Sequence, residues 1–147
     1  MYAKKEITIN APLGNVVKLF DQPENMKYWA PVPISVERIS GTPGQPGAKS
    51  KLKFKRFDLI ETITAKDLPR ELSGTYEMEA MANSIKHSFA SLKENQTIYT
   101  VEVDYEFKKA MPKIINAIAP WMFTRPAYKY MKMFKDFVET SATVQRT

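Results

Sequence analysis

From Lys4 to Asn10 polar and apolar residues alternate, with Lys5, Ile7 and Ile9 on one side and Lys4, Glu6 and Thr8 on the other. That period of two is the signature of a half-buried strand. Asn10-Ala11-Pro12 ends it, with Asn10 suited to cap a helix and Pro12 suited to its first turn. Val16, Val17, Leu19 and Phe20 then make a short apolar helical face. A break over residues 21–25 leads to a second short helix carrying Met26 and Trp29, closed by Pro31 and Pro33. Alternation resumes over Ile34 to Ser40. The following stretch, Gly41 to Gly47, holds three of the five glycines and two prolines and is read as a loop.

Beyond the loop the pattern sharpens. Ala48, Ser50, Leu52 and Phe54 face one way and Lys49, Lys51, Lys53 and Lys55 the other, one dry face and one wet. Phe57 to Ala65 continues as a strand, and residues 66–70 turn. Leu72, Gly74, Tyr76 and Met78 share a face of the next strand. Ile85, His87 and Phe89 share a face of the strand from Ser84 to Leu92, and residues 93–96 form a polar hairpin turn. Tyr99, Val101, Val103, Tyr105 and Phe107 then alternate with Thr100, Glu102, Asp104 and Glu106.

From Met111 the period becomes helical. Ile114, Ile115, Ile118 and Ala119 share a face, Pro120 interrupts it, and Tyr130, Phe134, Phe137, Val138 and Ser141 follow Pro126 at steps of three and four. Such a helix is expected to kink or split near Pro120 and Pro126. Six strands in succession imply antiparallel meanders, whose apolar face the terminal helix must cover. The reading is an α+β fold in one domain over residues 1–147, a curved antiparallel sheet of about seven strands around a long C-terminal helix.

Composition adds bounds. The chain has 147 residues, 44% hydrophobic and 26% charged, values of a folded chain with enough length for a real core. No run approaches the roughly 18 apolar residues that span a bilayer. The opening Met1-Tyr2-Ala3-Lys4-Lys5-Glu6 lacks the apolar core of a secretory signal, so a cytoplasmic location is expected. The absence of cysteine excludes disulfides, thiolate metal sites and a cysteine nucleophile. A net charge of +6 permits attraction to polyanions, but the charges are spread along the chain and not gathered in a block. The row Lys49, Lys51, Lys53, Lys55 reads as a solvated, aggregation-resistant face, or as a weak contact for anionic membrane surfaces. Without aromatic interleaving it offers no stacking platform, so no nucleic-acid partner is expected. Phosphate loops, dinucleotide fingerprints, His-Glu-x-x-His and nucleophile elbows are absent, and no cofactor or metal is expected.

The Ile7-Thr8-Ile9-Asn10-Ala11-Pro12 opening, the Trp29 segment, Ile39-Ser40-Gly41, and Glu61-Thr62-Ile63-Thr64 running to Leu68-Pro69 resemble the SRPBCC superfamily. This helix-grip group includes START lipid-transfer domains, polyketide cyclases and dehydratases, and pollen-allergen-like proteins. The resemblance spans essentially the whole chain and rests on turns and core positions, with no catalytic signature. It implies a cavity between sheet and helix for a lipid, polyketide or other apolar molecule. Function must still be read from the site.

In that cavity Leu52, Phe54, Tyr76, Ile85, Phe89, Tyr99, Val101, Tyr105, Tyr130 and Phe134 are the expected walls. The tyrosines bring rings for contact and hydroxyls that need partners. Trp29, Trp121, Met122 and Phe123 either flank an adaptable mouth or simply close the core. His87, the only histidine, is a candidate acid/base group near neutral pH or a hydrogen-bonding group, the alternatives being a histidine satisfied in the core or one turned to solvent by a flipped strand register. Glu61 lies on the side of Leu59 and Ile63, where a carboxylate is costly unless paired, although a bulge would turn it outward. Two readings follow: a binder of a small hydrophobic or amphipathic ligand, as monomer or homodimer, and a cyclase- or dehydratase-like enzyme using His87 with Glu61 or a tyrosine.

Overall fold

The expected meander forms in full. The computed structural model describes residues 2–79, 81–108 and 113–146, the last stretch with side chains over 125–141. In chain order the elements are β1 (Tyr2–Ile9), α1 (Leu13–Phe20), a 3₁₀ turn (Pro23–Tyr28), β2 (Ser35–Ser40), β3 (Lys49–Lys53), β4 (Asp58–Asp67), β5 (Glu71–Glu77), β6 (Met81–Lys93), β7 (Gln96–Phe107) and α2 (Lys113–Arg146). The strands make one antiparallel sheet in the order β1-β7-β6-β5-β4-β3-β2. Strands β2 to β7 follow one another by short turns, as local pairing favours. Strand β1 pairs with the last strand, β7, so α1 and the 3₁₀ turn must carry the chain from one edge of the sheet to the other.

Three register shifts, at Arg38/Ser40, Ile63/Ala65 and Ser91/Lys93, interrupt the ladders. Bulges of this kind bend a strand and increase its twist, which helps the sheet curve around a helix. At the β2–β3 corner Gly41 has φ +82°, and a Cβ there would lie 2.8 Å from the Ala48 Cα. Only glycine fits that turn.

Two local expectations are corrected. Asn10 does not cap α1: Pro12 holds the N-cap position, one residue before the first turn. Asn10 instead bridges two elements, accepting from Gln96 Nε2 at 3.1 Å and donating to Glu139 Oε1 at 3.1 Å. The terminal helix is also not split, because α2 runs continuously through Pro120 and Pro126. Each proline removes one backbone donor, a loss that a helix this long carries without ending.

Strand β7 follows its sequence pattern closely, burying Thr97, Tyr99, Val101, Val103 and Tyr105 against one side. From α2 the residues Met131, Phe134 and Val138 press down on that face at helical spacing, each at most 2% exposed. Ile9, Ala11, Val16, Trp29 and Phe89 complete the core. Lys135 fastens the helix to β1 by donating to the Thr8 carbonyl at 2.9 Å while pairing with Glu139. At the far edge β2 is exposed along its whole length, including Val36 and Ile39. No described helix is long and apolar enough to cross a membrane.

Phe134 has no exposed surface and touches rings from several elements, so its removal leaves a cavity that the sheet cannot close. Phe134→Ala is expected to cost about 3–5 kcal/mol in urea unfolding. Met133→Ala, on the solvent side of the same helix, should stay within about 0.5 kcal/mol.

Candidate functional site

Antiparallel register decides which side chains share the concave face, because residues directly opposite each other point the same way. Phe89 faces Tyr99, His87 faces Leu72 and Val101, and Ile85 faces Gly74 and Val103. One step further along, Ser50, Glu61, Tyr76, Asn83 and Tyr105 stand in a row across five neighbouring strands. Arg38 extends that row onto β2 and donates from Nη1 to Ser50 Oγ at 3.2 Å.

Along β6 the face changes from closed to partly open, while β7 stays buried from Thr97 to Tyr105. At the closed end Phe20, Trp29, Phe89, Tyr99 and Phe134 form one ring cluster. Phe20 is edge-on to Phe89 at 4.9 Å, Trp29 lies 4.7 Å from Phe134, and Phe89 stacks on Tyr99 at 4.6 Å. Beyond it, Ile85, His87, Tyr76, Glu61 and Asn83 are only half-buried although they sit on the covered side of the sheet.

His87 sits at the boundary. Its Nδ1 is 2.7 Å from the Tyr99 hydroxyl, and its ring lies 5.3 Å from Phe20. Burial pulls its pKa down to about 4, so the imidazole is neutral at pH 7. Burial, with Tyr76 adding to it, holds the Tyr99 phenol well above its ordinary value. When that protonated phenol donates to Nδ1, the histidine keeps its own proton on Nε2, where it can serve a ligand acceptor.

Burial likewise raises the Tyr76 phenol well above the usual range, and the charge of Glu61 and a hydrogen bond to it add to the effect. Burial alone pushes Tyr105 up to about 12. The Tyr76 ring leans back over Gly74, since a Cβ on that glycine would stand 3.8 Å from Tyr76 Cε2. Glu61 therefore faces inward. The bulge that would have turned it out is real, but it falls between Ile63 and Ala65, past Glu61.

Of the other residues read from the sequence, Trp29, Phe89, Tyr99, Val101, Tyr105 and Phe134 are buried, and Trp29 packs in the core cluster. Leu52 is half-buried on the inner side of β3. Phe54 stacks on Phe57 at 5.1 Å where β3 turns into β4. Tyr130 is half-buried on α2. The side chains of Trp121 and Met122, with that of Phe123, lie outside the described residues. The geometry does not join His87 to Glu61 directly: His87 is bonded to Tyr99, Glu61 works on Tyr76, and the two tyrosines influence each other. No group of three or more His, Asp or Glu able to hold a metal occurs among the described residues.

Sequence reading missed three members of the polar row. Asn83 shares the alternation of Ile85, His87 and Phe89 but falls one residue before Ser84, where the sequence pattern starts the strand; β6 starts at Met81. Ser50 was placed on the dry face as a small residue, and Arg38 gave no signal without its pairing partner.

Neither a protein-family model nor a curated protein sequence matches the chain. Solved structures do. A START superfamily protein from Mycobacterium smegmatis superposes with TM-score 0.73 at 14% identity, covering 95% of this chain and 97% of that one. The Zhui aromatase/cyclase from Streptomyces sp. R1128 gives TM-score 0.72 at 11% identity over 95% and 93%. Norcoclaurine synthase from Thalictrum flavum, in complex with dopamine and hydroxybenzaldehyde, gives 0.72 at 14% over 95% and 87%.

The lowered His87 pKa makes stability depend on pH. Between its ordinary value of 6.5 and about 4 the unfolded chain binds a proton that the folded protein refuses. Stability is therefore full above that window and lost as pH falls through it. Wild type should lose up to about 3 kcal/mol more than His87→Gln on going from the top of the window to the bottom. Urea unfolding at several pH values measures this, and parallel profiles for the two proteins would contradict it.

Sheet, helix and superpositions together establish that this chain has the helix-grip α+β fold.

Proposed function

We propose that this protein binds a small hydrophobic or amphipathic molecule on the concave face, between the sheet and α2. One observation carries the reading: Tyr76, Ile85 and His87 stay half-buried on the side of the sheet that the helix covers. Directly beside them Phe89, Tyr99 and Phe134 close completely. A core with nothing to bind would close along its length, because interiors pack to near-crystalline density. Apolar walls with a few convergent polar groups are what small-molecule sites require. The superposed structures lend support by their fold, and one of them holds dopamine and hydroxybenzaldehyde.

A second reading, a cyclase- or dehydratase-like enzyme, draws on the string of groups from His87 through Tyr99 and Tyr76 to Glu61. Its acid/base work would fall to a neutral imidazole and a carboxylate. With a pKa of about 4 His87 is neutral at pH 7, and with Nδ1 engaged by the Tyr99 hydroxyl it would offer its Nε2 proton and leave the base to Glu61. Binding is the stronger proposal because it asks nothing of those groups beyond hydrogen bonding.

Native mass spectrometry and organic extraction of the purified protein test the binding reading. The expected outcome is a co-purified apolar compound, or saturable binding of the neutral dye Nile red. Failure of both would overturn it. His87→Ala should leave dye binding nearly unchanged, whereas an enzyme of the second kind would lose turnover.

A further inference from the structure

The two ends of the sheet carry hairpin tips of different chemistry. At one end the β6–β7 turn, Lys93 to Gln96, is wholly polar, as turn residues usually are. The β3–β4 turn stands at the other end, since Ile60 pairs with Glu77 and Glu77 with Ala82 near the start of β6. It reads Phe54-Lys55-Arg56-Phe57. Phe54 N donates to Phe57 O at 2.9 Å, and the two rings stack 5.1 Å apart. Lys55 and Arg56 hold the outermost positions and are exposed, and Phe57 is 44% exposed. The start of β2 runs up beside them: Ser35 pairs with Lys53, and Ile34 N donates to Lys53 O at 2.7 Å. Val32 and Ile34 are 67% and 68% exposed, more than any other large apolar side chain among the described residues.

Charge gathers at the same place. From Lys49 to Asp58 the chain holds five cations and one acid, so this short stretch carries most of the net charge of +6. Apolar residues alternate with the cations, which hides the concentration in the sequence. All five cations are exposed. Asp58 lies 3.8 Å from Lys51, and Glu37 stands opposite the same lysine. Lys53, Lys55 and Arg56 are left at the tip with no ion pair among the described residues. The neighbouring β5–β6 turn is flanked by the exposed acids Glu77 and Glu79, which confines the cationic surface to the β2–β3–β4 side.

Apolar side chains exposed singly need no explanation, but a ring and two aliphatics projecting together among cations do. Lysines alone would guard the open edge of the sheet against pairing with another chain. That task asks for no phenylalanine in the turn and no bare valine or isoleucine beside it. We propose that this tip is a docking surface for an anionic lipid bilayer, with Val32, Ile34 and Phe57 entering the interface and Lys53, Lys55 and Arg56 holding lipid phosphates. Apolar side chains bury at the boundary between headgroups and acyl chains, while Lys and Arg reach the phosphates on apolar stems. Each cation near such a surface is worth about fivefold in affinity. A nucleic acid would match the charge but offers no hydrocarbon to Val32 and Ile34. This surface is separate from the proposed ligand site, and neither depends on the other.

Co-sedimentation of the intact protein with lipid vesicles tests the proposal. Vesicles of phosphatidylcholine with a quarter phosphatidylglycerol should retain the protein, and pure phosphatidylcholine vesicles should not. High salt should weaken retention by screening. The pair Lys55→Ser and Arg56→Ser should cost about twentyfold in affinity, and the pair Val32→Ser and Ile34→Ser about tenfold. The charge-matched pair Lys18→Ser and Lys93→Ser, on α1 and at the polar tip, should stay within about twofold of wild type. Because the chain has no cysteine, Phe57→Cys or Glu94→Cys places an environment-sensitive dye at one known point. Its emission should shift to the blue on anionic vesicles from position 57 and not from position 94. No retention on the anionic vesicles, or a dye response at 94 in place of 57, overturns the proposal, as do equal losses from the tip and control charge pairs. Unchanged binding by the Val32→Ser, Ile34→Ser variant reduces the contact to general electrostatic attraction and overturns insertion. Tip-dependent binding of a single-stranded oligonucleotide, with none to vesicles, assigns the surface to nucleic acid instead. The comparison of the two vesicle types on wild type needs no variant to fold.

Discussion

A ring cluster formed by Phe20, Trp29, Phe89, Tyr99 and Phe134 clamps α2 to the concave face of the sheet, and the inner surface takes its character from where that clamp sits. Aromatic pairs in edge-on or offset contact add about 0.5–1.5 kcal/mol each beyond their buried area, so the cluster is strong as well as large. It draws on α1, the C-terminal end of the 3₁₀ turn, two central strands and the helix. Met131 and Val138 extend it along α2, and Lys135 pins the same helical stretch to β1.

Strand alternation delivers Ile85, Tyr76, Glu61 and Asn83 to the same face as the clamp, yet these side chains keep accessible surface. The polar row adds a chemical gradient to the packing gradient. Rings and aliphatics dominate near Phe134, His87 and Tyr99 mark the boundary, and the Glu61–Tyr76–Asn83 row lies beyond. A molecule lying along this face would meet apolar walls at one end and hydrogen-bonding groups at the other. The convex face is separate in character, with Lys49, Lys51 and Lys53 exposed to solvent and Lys51 near Asp58 at 3.8 Å.

Much of this was legible in the sequence because the period of two is a local signal. Strand β7 could be read residue by residue, and the inward set of Tyr99, Val101, Val103 and Tyr105 is buried as its alternation implies. What the sequence withheld depends on non-local facts. Whether Glu61 faces in or out turned on the position of one bulge, which is set by the pairing of β4 with β5. The row that joins Ser50, Glu61, Tyr76, Asn83 and Tyr105 exists only through register across five strands, and no single strand reveals it. Asn10 looked like a cap because Asn before a helix usually is one. Tertiary partners on β7 and α2 claimed its side chain instead. The low pKa of His87 likewise comes from burial that α1 and β7 supply together, not from its neighbours in the chain.

The central claim is that ligand occupies the half-buried stretch of the concave face. Isotope-filtered NOE measurements on labelled protein saturated with Nile red test it most directly. The expected contacts run from the dye protons to Ile85, Tyr76 and His87, with none to the convex face of β3. Contacts confined to Lys49, Lys51 and Lys53, or to the exposed edge strand β2, would contradict it.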